Sequence, residues 1–297
     1  MSMVSNQNTR SATLLGLIAV IFWSTLPIVS IYTKGIPPFL CLSIAYFFAF
    51  IVHMIYWKYK YGSITLKFKQ PLNYVLTYVI GIFSSNATFL IAMQHGDPVL
   101  SYLVSNLWPI FALFFAAFLF KEKLSNLHYI GAVIGFIGVI FISAKDGGMS
   151  MKGEVLFGFM MGFLNSVIWS FVSVINRKFS DIPADSVGLP LGIISILAFV
   201  THIFVEGSTV ISTQHLLAIM YLGIAPWGAA YTIWGYAVRF GDVKAVMLFG
   251  YLMPLLGVVW MILLGKAEFS MNVLISMILI LVGASLGSIK LFLKNSK

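Results

Sequence analysis

The side chains in this chain that can do chemistry are uncharged, and they sit inside long apolar runs. Gly162, Asn165, Ser166, Trp169, Ser170 and Ser173 recur at i, i+3, i+4, i+7, i+8 and i+11, which is one face of a helix. Between Pro98 and Phe120, Ser101, Ser105 and Trp108 share a face, with Tyr102 and Asn106 beside it. Leu103, Leu107, Ile110 and Phe114 fall on the opposite side and suit lipid or packing. Other runs offer Trp23 with Ser24, Ser85 with Asn86, Trp227 with Tyr231, and Tyr251. Hydroxyls, amides and rings of this kind bind by hydrogen bonds and stacking, and mid-run Trp and Tyr need a partner for their N–H or O–H. Bond-breaking chemistry needs more. There is no His-Glu-x-x-His and no Gly-x-Ser-x-Gly, and the five histidines are scattered over separate runs. An intramembrane enzyme is the different-class alternative, and the sequence lacks its parts. The single cysteine, Cys41, excludes an internal disulfide and a cysteine-built zinc site. No Asp, Glu, Lys or Arg lies well inside an apolar run. Asp97 and Asp242 stand at run entrances, where a helix N-terminus favours an acid. His53, His95, His128, His202 and His215 are placed at edges, as solvated or capping residues. A polar, uncharged site of this kind suits a small zwitterionic or neutral metabolite with an apolar or aromatic body. No cofactor or metal is expected.

The elements that hold these residues are membrane spans. With 60% hydrophobic and 9% charged residues and a mean hydropathy of +0.98, the chain is not an ordinary soluble domain. Its formal charge of +9 does not indicate nucleic acid, because the basic residues are sparse and lie between apolar runs. Roughly 20 apolar residues suffice to cross ~30 Å of hydrocarbon, and ten runs of that length emerge. They are 12–32, 36–56, 72–93, 98–120 and 126–143, then 155–175, 186–204, 215–237, 243–264 and 272–292. The first is read as a permanent span and not a cleaved signal. The stretch Trp57–Pro71 is read as a surface loop. Fourteen of the 18 Lys and Arg residues lie on the side of the N-terminus, which places both termini in the cytoplasm.

The chain is also duplicated. Gly96, Asp97, Leu103, Leu107, Pro109, Leu119, Lys121 and Ser125 recur 145 residues later as Gly241, Asp242, Leu248, Leu252, Pro254, Leu264, Lys266 and Ser270. The halves are 1–148 and 149–297. Each holds five spans, an odd number, so the second half enters the membrane inverted, an architecture common to secondary transporters. Pro109 and Pro254 each remove a backbone donor, leaving the carbonyls of Ser105 and Gly250 without their i+4 partner. Lipid cannot satisfy such groups, so these prolines are expected to break their helices and act as hinges. Gly131-x-x-x-Gly135 and Gly283-x-x-x-Gly287 mark the fifth and tenth spans as close-packing helices.

Ten spans in an inverted five-plus-five repeat resemble the drug/metabolite transporter superfamily, and specifically its EamA family. The stretch Ala12–Val20 followed by Phe22-Trp23-Ser24-Thr25 is similar to the opening of the YddG-type aromatic amino acid exporters. Asn106-Leu107-Trp108-Pro109 resembles their fourth helix and Ile168-Trp169-Ser170 their sixth. The resemblance implies an all-α polytopic fold with a central cavity lined by spans one, three, four, six, eight and nine. It also implies export of aromatic or other neutral amino acids across the inner membrane by alternating access. S-Adenosylmethionine, which other members carry, is the runner-up substrate. Beyond substrate and lipid bilayer no partner is expected: no nucleic acid, and a monomer.

Overall fold

The computed structural model describes residues 2–121, 123–143, 153–250 and 252–293, and among them every regular element is helical. Seven helical stretches of described residues are long and apolar enough to cross a membrane: Thr9–Ile31, Pro38–Tyr61, Leu72–His95, Pro98–Phe120, Gly153–Phe179, Ala184–Val205 and Thr213–Phe240. Three shorter apolar helices, Asn126–Phe141, Leu252–Leu263 and Met271–Leu286, fall where the sequence places the fifth, ninth and tenth spans. Large apolar side chains face outward on many of them, with Phe118, Ile140 and Phe204 at 81%, 67% and 82% exposure. A water-soluble domain rarely leaves so much apolar surface uncovered. This is a multi-pass membrane protein.

The chain divides into two compact units, and each takes helices from both sequence halves. The first unit, Met1–Phe83 with Phe179–Met253, holds α1 (Ser2–Ser24), α2 (Leu26–Ile31), α3 (Pro38–Tyr61) and the start of α4 (Leu72–His95). From the second half it holds α9 (Gly188–Val205), α10 (Thr213–Ile224), a π turn (Ala225–Ala229), α11 (Ala230–Phe240) and α12 (Val243–Gly250). Within it α1 packs on α11 and α12, and α3 on α9 and α10. The second unit, Ser84–Lys178 with Pro254–Lys297, holds the rest of α4, then α5 (Pro98–Ser105), α6 (Trp108–Phe120), α7 (Asn126–Ser143) and α8 (Gly153–Ile175). Most of α13 (Leu252–Leu263) and α14 (Met271–Leu293) complete it.

Local chemistry sets the helix ends. Pro98 occupies the first turn of α5, and the Asp97 carboxylate accepts the Leu100 N–H at 2.8 Å, so this acid is a cap. Asp242 plays the same part toward Ala245 at 3.4 Å. The His128 Nδ1 accepts the Ser125 N–H at 2.9 Å, a capping histidine as expected. α3 is capped from another helix. Both Glu206 oxygens, at the end of α9, accept first-turn N–H groups of α3, Phe39 at 2.8 Å and Leu40 at 3.1 Å, and His202 Nδ1 lies 2.8 Å from Glu206. The expected small-residue contact is present in the second unit, where α7 packs on α14. A Cβ on Gly283 would stand 2.5 Å from the Gly131 carbonyl oxygen.

Two expectations at the end of the second span are corrected. α3 continues through the lysines to Tyr61 and closes at Gly62 in the left-handed region, φ 68°. Trp57, assigned to a surface loop, is fully buried, and its indole N–H donates to the Asp185 carbonyl at 3.0 Å. His53, assigned as a solvated or capping edge residue, is 2% exposed. The physical reason is that Lys58 and Lys60 lie on the exposed face of a helix whose other face is interior.

Candidate functional site

In the first unit the site is built on the π turn. Pro226 has no N–H, and Ala230 donates its N–H to the Ala225 carbonyl, five residues back. The Pro226 carbonyl is thereby deprived of its usual helical donor. Trp23 of α1 supplies one: its indole N–H donates to the Pro226 oxygen at 2.8 Å. That bond fixes the half-buried Trp23 ring against two aromatics of α11, Tyr231 at 5.9 Å between centroids and 65°, and Trp234 at 5.4 Å and 57°. Edge-to-face contacts at such distances are favourable. Trp227, next in the π turn, is 1% exposed and stacks on Tyr46 at 5.4 Å and 14°. Beneath Trp23, α1 ends at Ser24, whose hydroxyl donates to Ile21 O at 2.7 Å. The Thr25 hydroxyl donates to Phe22 O at 2.7 Å. Back-bonding of this kind bends helices, and α2 resumes with Pro27 in its first turn.

In the second unit the fourth span is broken where Pro109 requires. α5 ends at Ser105, Asn106 and Leu107 form a turn, and α6 starts at Trp108. The Tyr102 carbonyl accepts both the Asn106 N–H at 3.1 Å and the Asn106 side-chain N–H at 2.8 Å. The N–H groups of Ile110 and Phe111 both turn to Leu107 O, at 3.0 and 3.4 Å. Asn106 therefore stitches its own break. Ser101 and Ser105 are buried, and Ser105 donates to Ser101 O at 2.8 Å. Asn165 of α8 reaches α4, donating to Ser85 O at 2.7 Å and Ser85 Oγ at 2.9 Å. Asn86 is buried beside it in sequence. Tyr102 is 2% exposed, and its ring lies where a Cβ on Gly257 would be, 2.3 Å from the ring edge. Trp108, Pro109 and Trp169 are half-buried, while Pro254 is buried. Tyr251 lies outside the described residues. Gly250 and Leu252, on either side of it, are both helical.

The EamA-like transporter family model matches residues 10–144 and again 156–289. The chain belongs to the EamA family of transporters. It is similar to the aromatic amino acid exporter YddG of Ancylobacter novellus, 29% identical over 280 residues that cover 94% of this chain and 97% of that protein. A probable amino-acid metabolite efflux pump of Salmonella typhimurium is 26% identical over 64% of this chain and 67% of its own length. An S-adenosylmethionine uptake transporter of Rickettsia prowazekii is 25% identical over 45% of this chain and 43% of its own. A solved crystal structure superposes with a TM-score of 0.75 at 28% identity, covering 97% of this chain and 99% of that one.

Trp234, which the sequence offers in the eighth span with Pro226, Trp227 and Tyr231, completes the ring set of this EamA protein. The structure also brings together residues that sequence reasoning did not select. His53 joins α3 to α11: Nδ1 lies 2.8 Å from Ala49 O and Nε2 2.9 Å from Thr232 Oγ1. Asp185, 3% exposed in the 3-10 turn Ala184–Val187, receives the Tyr61 hydroxyl at 3.3 Å and lies 4.0 Å from Lys60 Nζ. Nothing local marks Asp185 as buried or bonded, since its hydrogen-bond partners lie more than 120 residues away; Glu206 has a local partner in His202, but its bonds to α3 span more than 160 residues. Among the described residues no group of three or more His, Cys, Asp or Glu side chains is placed to hold a metal ion.

Proposed function

We propose that this chain is a secondary carrier that exports aromatic and other neutral amino acids across the cell's inner membrane by alternating access. The observation that carries this reading is the ring set Trp23, Tyr231 and Trp234. These are half-buried aromatic faces, and no Asp, Glu, Lys or Arg lies between residues 12 and 32 or between 215 and 237. An aromatic or apolar side chain is held by such faces through stacking and edge contacts. The zwitterionic end is matched by uncharged helix ends of the same unit, at Ser24 with Thr25 and at the π turn, whose backbone groups carry partial charge. The similarity to an aromatic amino acid exporter over nearly the full chain supports the same substrate class. Ten spans in an inverted repeat, with both termini in the cytoplasm, are the topology that the lysine and arginine distribution favours. Since both repeats lie on one chain, a monomer suffices. The access change is assigned to Pro109 and Pro254.

The test is counterflow in proteoliposomes of the full chain, loaded with unlabelled L-phenylalanine and offered the labelled form outside. Uptake is expected above that of empty liposomes. Tryptophan, tyrosine and leucine compete, whereas glutamate and S-adenosylmethionine do not. Flux driven by S-adenosylmethionine alone would replace the substrate class, and the absence of flux with every solute would sink the carrier reading. Trp169→Ala is expected to abolish uptake at normal folding, while Phe118→Ala, on the lipid-facing surface, leaves it unchanged.

A further inference from the structure

One buried histidine of the first unit has no part in the reading above. His53 Nδ1 faces the Ala49 carbonyl at 2.8 Å. A carbonyl has no hydrogen to give, so Nδ1 carries the ring proton. In the neutral ring Nε2 is then an acceptor, and the Thr232 hydroxyl, 2.9 Å away, donates into it. A second proton on the ring reverses that bond. Nε2–H becomes the donor, the Thr232 oxygen accepts, and the hydroxyl hydrogen has to turn to another acceptor. In a helix that acceptor is the carbonyl four residues back, which for Thr232 belongs to Gly228. Gly228 lies in the π turn Ala225–Ala229, the same turn whose Pro226 carbonyl holds the Trp23 indole at 2.8 Å.

The surroundings of His53 fit a site that takes up a proton. From the 3-10 turn before α9 comes Asp185, which interacts electrostatically with His53 and with Tyr74 of α4. From its own helix come Lys60, 4.0 Å from Asp185, and Tyr61, 3.3 Å from it. The start of α9 packs on the ring through Gly188, where a Cβ would be 2.5 Å from His53 Cβ. The titratable residues of α9 and α10, His202, His215 and Tyr221, lie roughly three or more helical turns from Gly188 or Thr232; on α11, Tyr231 adjoins Thr232, while Tyr236 and Arg239 follow it by about one and two turns, and Arg239 donates to the Ser180 carbonyl. The π turn itself contains no ionisable side chain. Burial opposes a positive imidazole; Asp185 is the acid that offsets it, with Lys60 as its competitor.

We propose that His53 is a proton-binding site whose occupancy passes through the Thr232 hydroxyl to the π turn and the Trp23 indole, so that the aromatic site responds to pH. Its effect on flux rests on the carrier reading; the proton relay does not.

The experiment follows the imidazole and indole nitrogens of the purified full chain by 15N NMR between about pH 5 and 8, the window in which histidine titrates. His53→Gln identifies the imidazole signal and Trp23→Phe the indole signal. His53 Nε2 is expected to pass from acceptor to protonated form, with the Trp23 indole moving at the same midpoint. Thr232→Val leaves His53 titrating and removes the Trp23 response, and His53→Gln removes it as well. In proteoliposomes, L-phenylalanine exchange by the unsubstituted chain changes by roughly threefold or more across that window and is flat in both variants. A His53 ring that stays neutral to the acid limit overturns the proposal, as does a Trp23 response that survives Thr232→Val. If His53→Gln does not fold, Thr232→Val decides alone. If phenylalanine is not exchanged at any pH, the substrate assignment fails, while the NMR response still decides the relay.

Discussion

Trp23→Phe tests the link between the π turn and the aromatic site. The substitution removes the indole N–H and part of the ring, and keeps an aromatic face against Tyr231 and Trp234. Pro226 is buried, and Ala230, its usual helical donor, bonds Ala225 instead, so the Pro226 carbonyl loses its indole partner. Leaving a buried polar group unmatched costs about 1–3 kcal/mol. Polar contacts between transmembrane helices average ~0.6 and reach ~1.7 kcal/mol. The two ranges overlap near 1–1.7 kcal/mol, and Trp23→Phe is placed there. Trp23→Ala also loses a half-buried ring, about half of the ~3–5 kcal/mol for a fully buried one, and two ring pairs at ~0.5–1.5 kcal/mol each. Its total is roughly 3.5–7 kcal/mol. At about 2–4 °C per kcal/mol for a chain of this general size, thermal unfolding in detergent shifts down by roughly 2–7 °C for Trp23→Phe and by at least about 7 °C for Trp23→Ala. The decisive measurement is a double-mutant cycle with Pro226→Ala, which restores the missing N–H and lets the turn return to α-helical pairing. In that background Trp23→Phe is expected to cost about 1 kcal/mol less. If Trp23→Phe unfolds with the unsubstituted chain, or costs the same in both backgrounds, the indole bond is not what closes the turn.

Glu206→Ala strips both oxygens from the start of α3 and is expected to cost about 2 kcal/mol, with Glu206→Gln intermediate, read as the unfolding midpoint. Gly257→Ala drives a methyl into the Tyr102 ring and should cost about 1–3 kcal/mol; a second change, Tyr102→Ala, then loses less stability than it does alone. Pro109→Ala with Pro254→Ala is expected to leave L-phenylalanine binding intact and slow its exchange at least about tenfold, because restored helical bonds disfavour bending; unchanged turnover in vesicles removes the hinge role. Tags placed in the Gly62–Pro71 connection and at Asp146–Gly148 are expected to label from opposite faces, and labelling from one face overturns the proposed orientation.

What could be read from the sequence followed from strong, local physics. Apolar length located the helices to within a few residues, because a bilayer tolerates few other solutions. Pro109 located the break because a missing N–H is a covalent fact, and the structure ends α5 at Ser105. The end of the second span was misread for an equally local reason: Lys58 and Lys60 look like loop residues, although a lysine stem can run along a helix and hold its charge in water. With the helix stopped at residue 56, His53 fell at an edge and Trp57 outside it. The π turn was invisible as such. The repeat decays at the third and eighth spans, and there one partner, α4, is an unbroken helix while the other carries an extra turn residue before α11. Pro226 signalled a disturbance, but not that the carbonyl it leaves would be taken by a tryptophan 203 residues away.

That tryptophan shows a wider difficulty in reading sites inside membrane spans. Where charge is absent, an interruption in a helix is a ready source of polarity, and the freed backbone groups must be satisfied by the protein. Ser24 and Thr25 bond the end of α1, Asn106 bonds the end of α5, and Trp23 bonds the π turn. Three of these four, Ser24, Asn106 and Trp23, were selected from sequence as ligand residues because they are polar and lie mid-span. The same physics selects them as backbone plugs. Loss of transport on replacing any of them therefore does not separate binding from folding. Tyr231 and Trp234 are better probes, because their contacts to Trp23 run ring to ring. Tyr231→Phe and Trp234→Phe keep a ring at each position, so a change in amino acid preference there, at an unchanged unfolding midpoint, reports recognition itself.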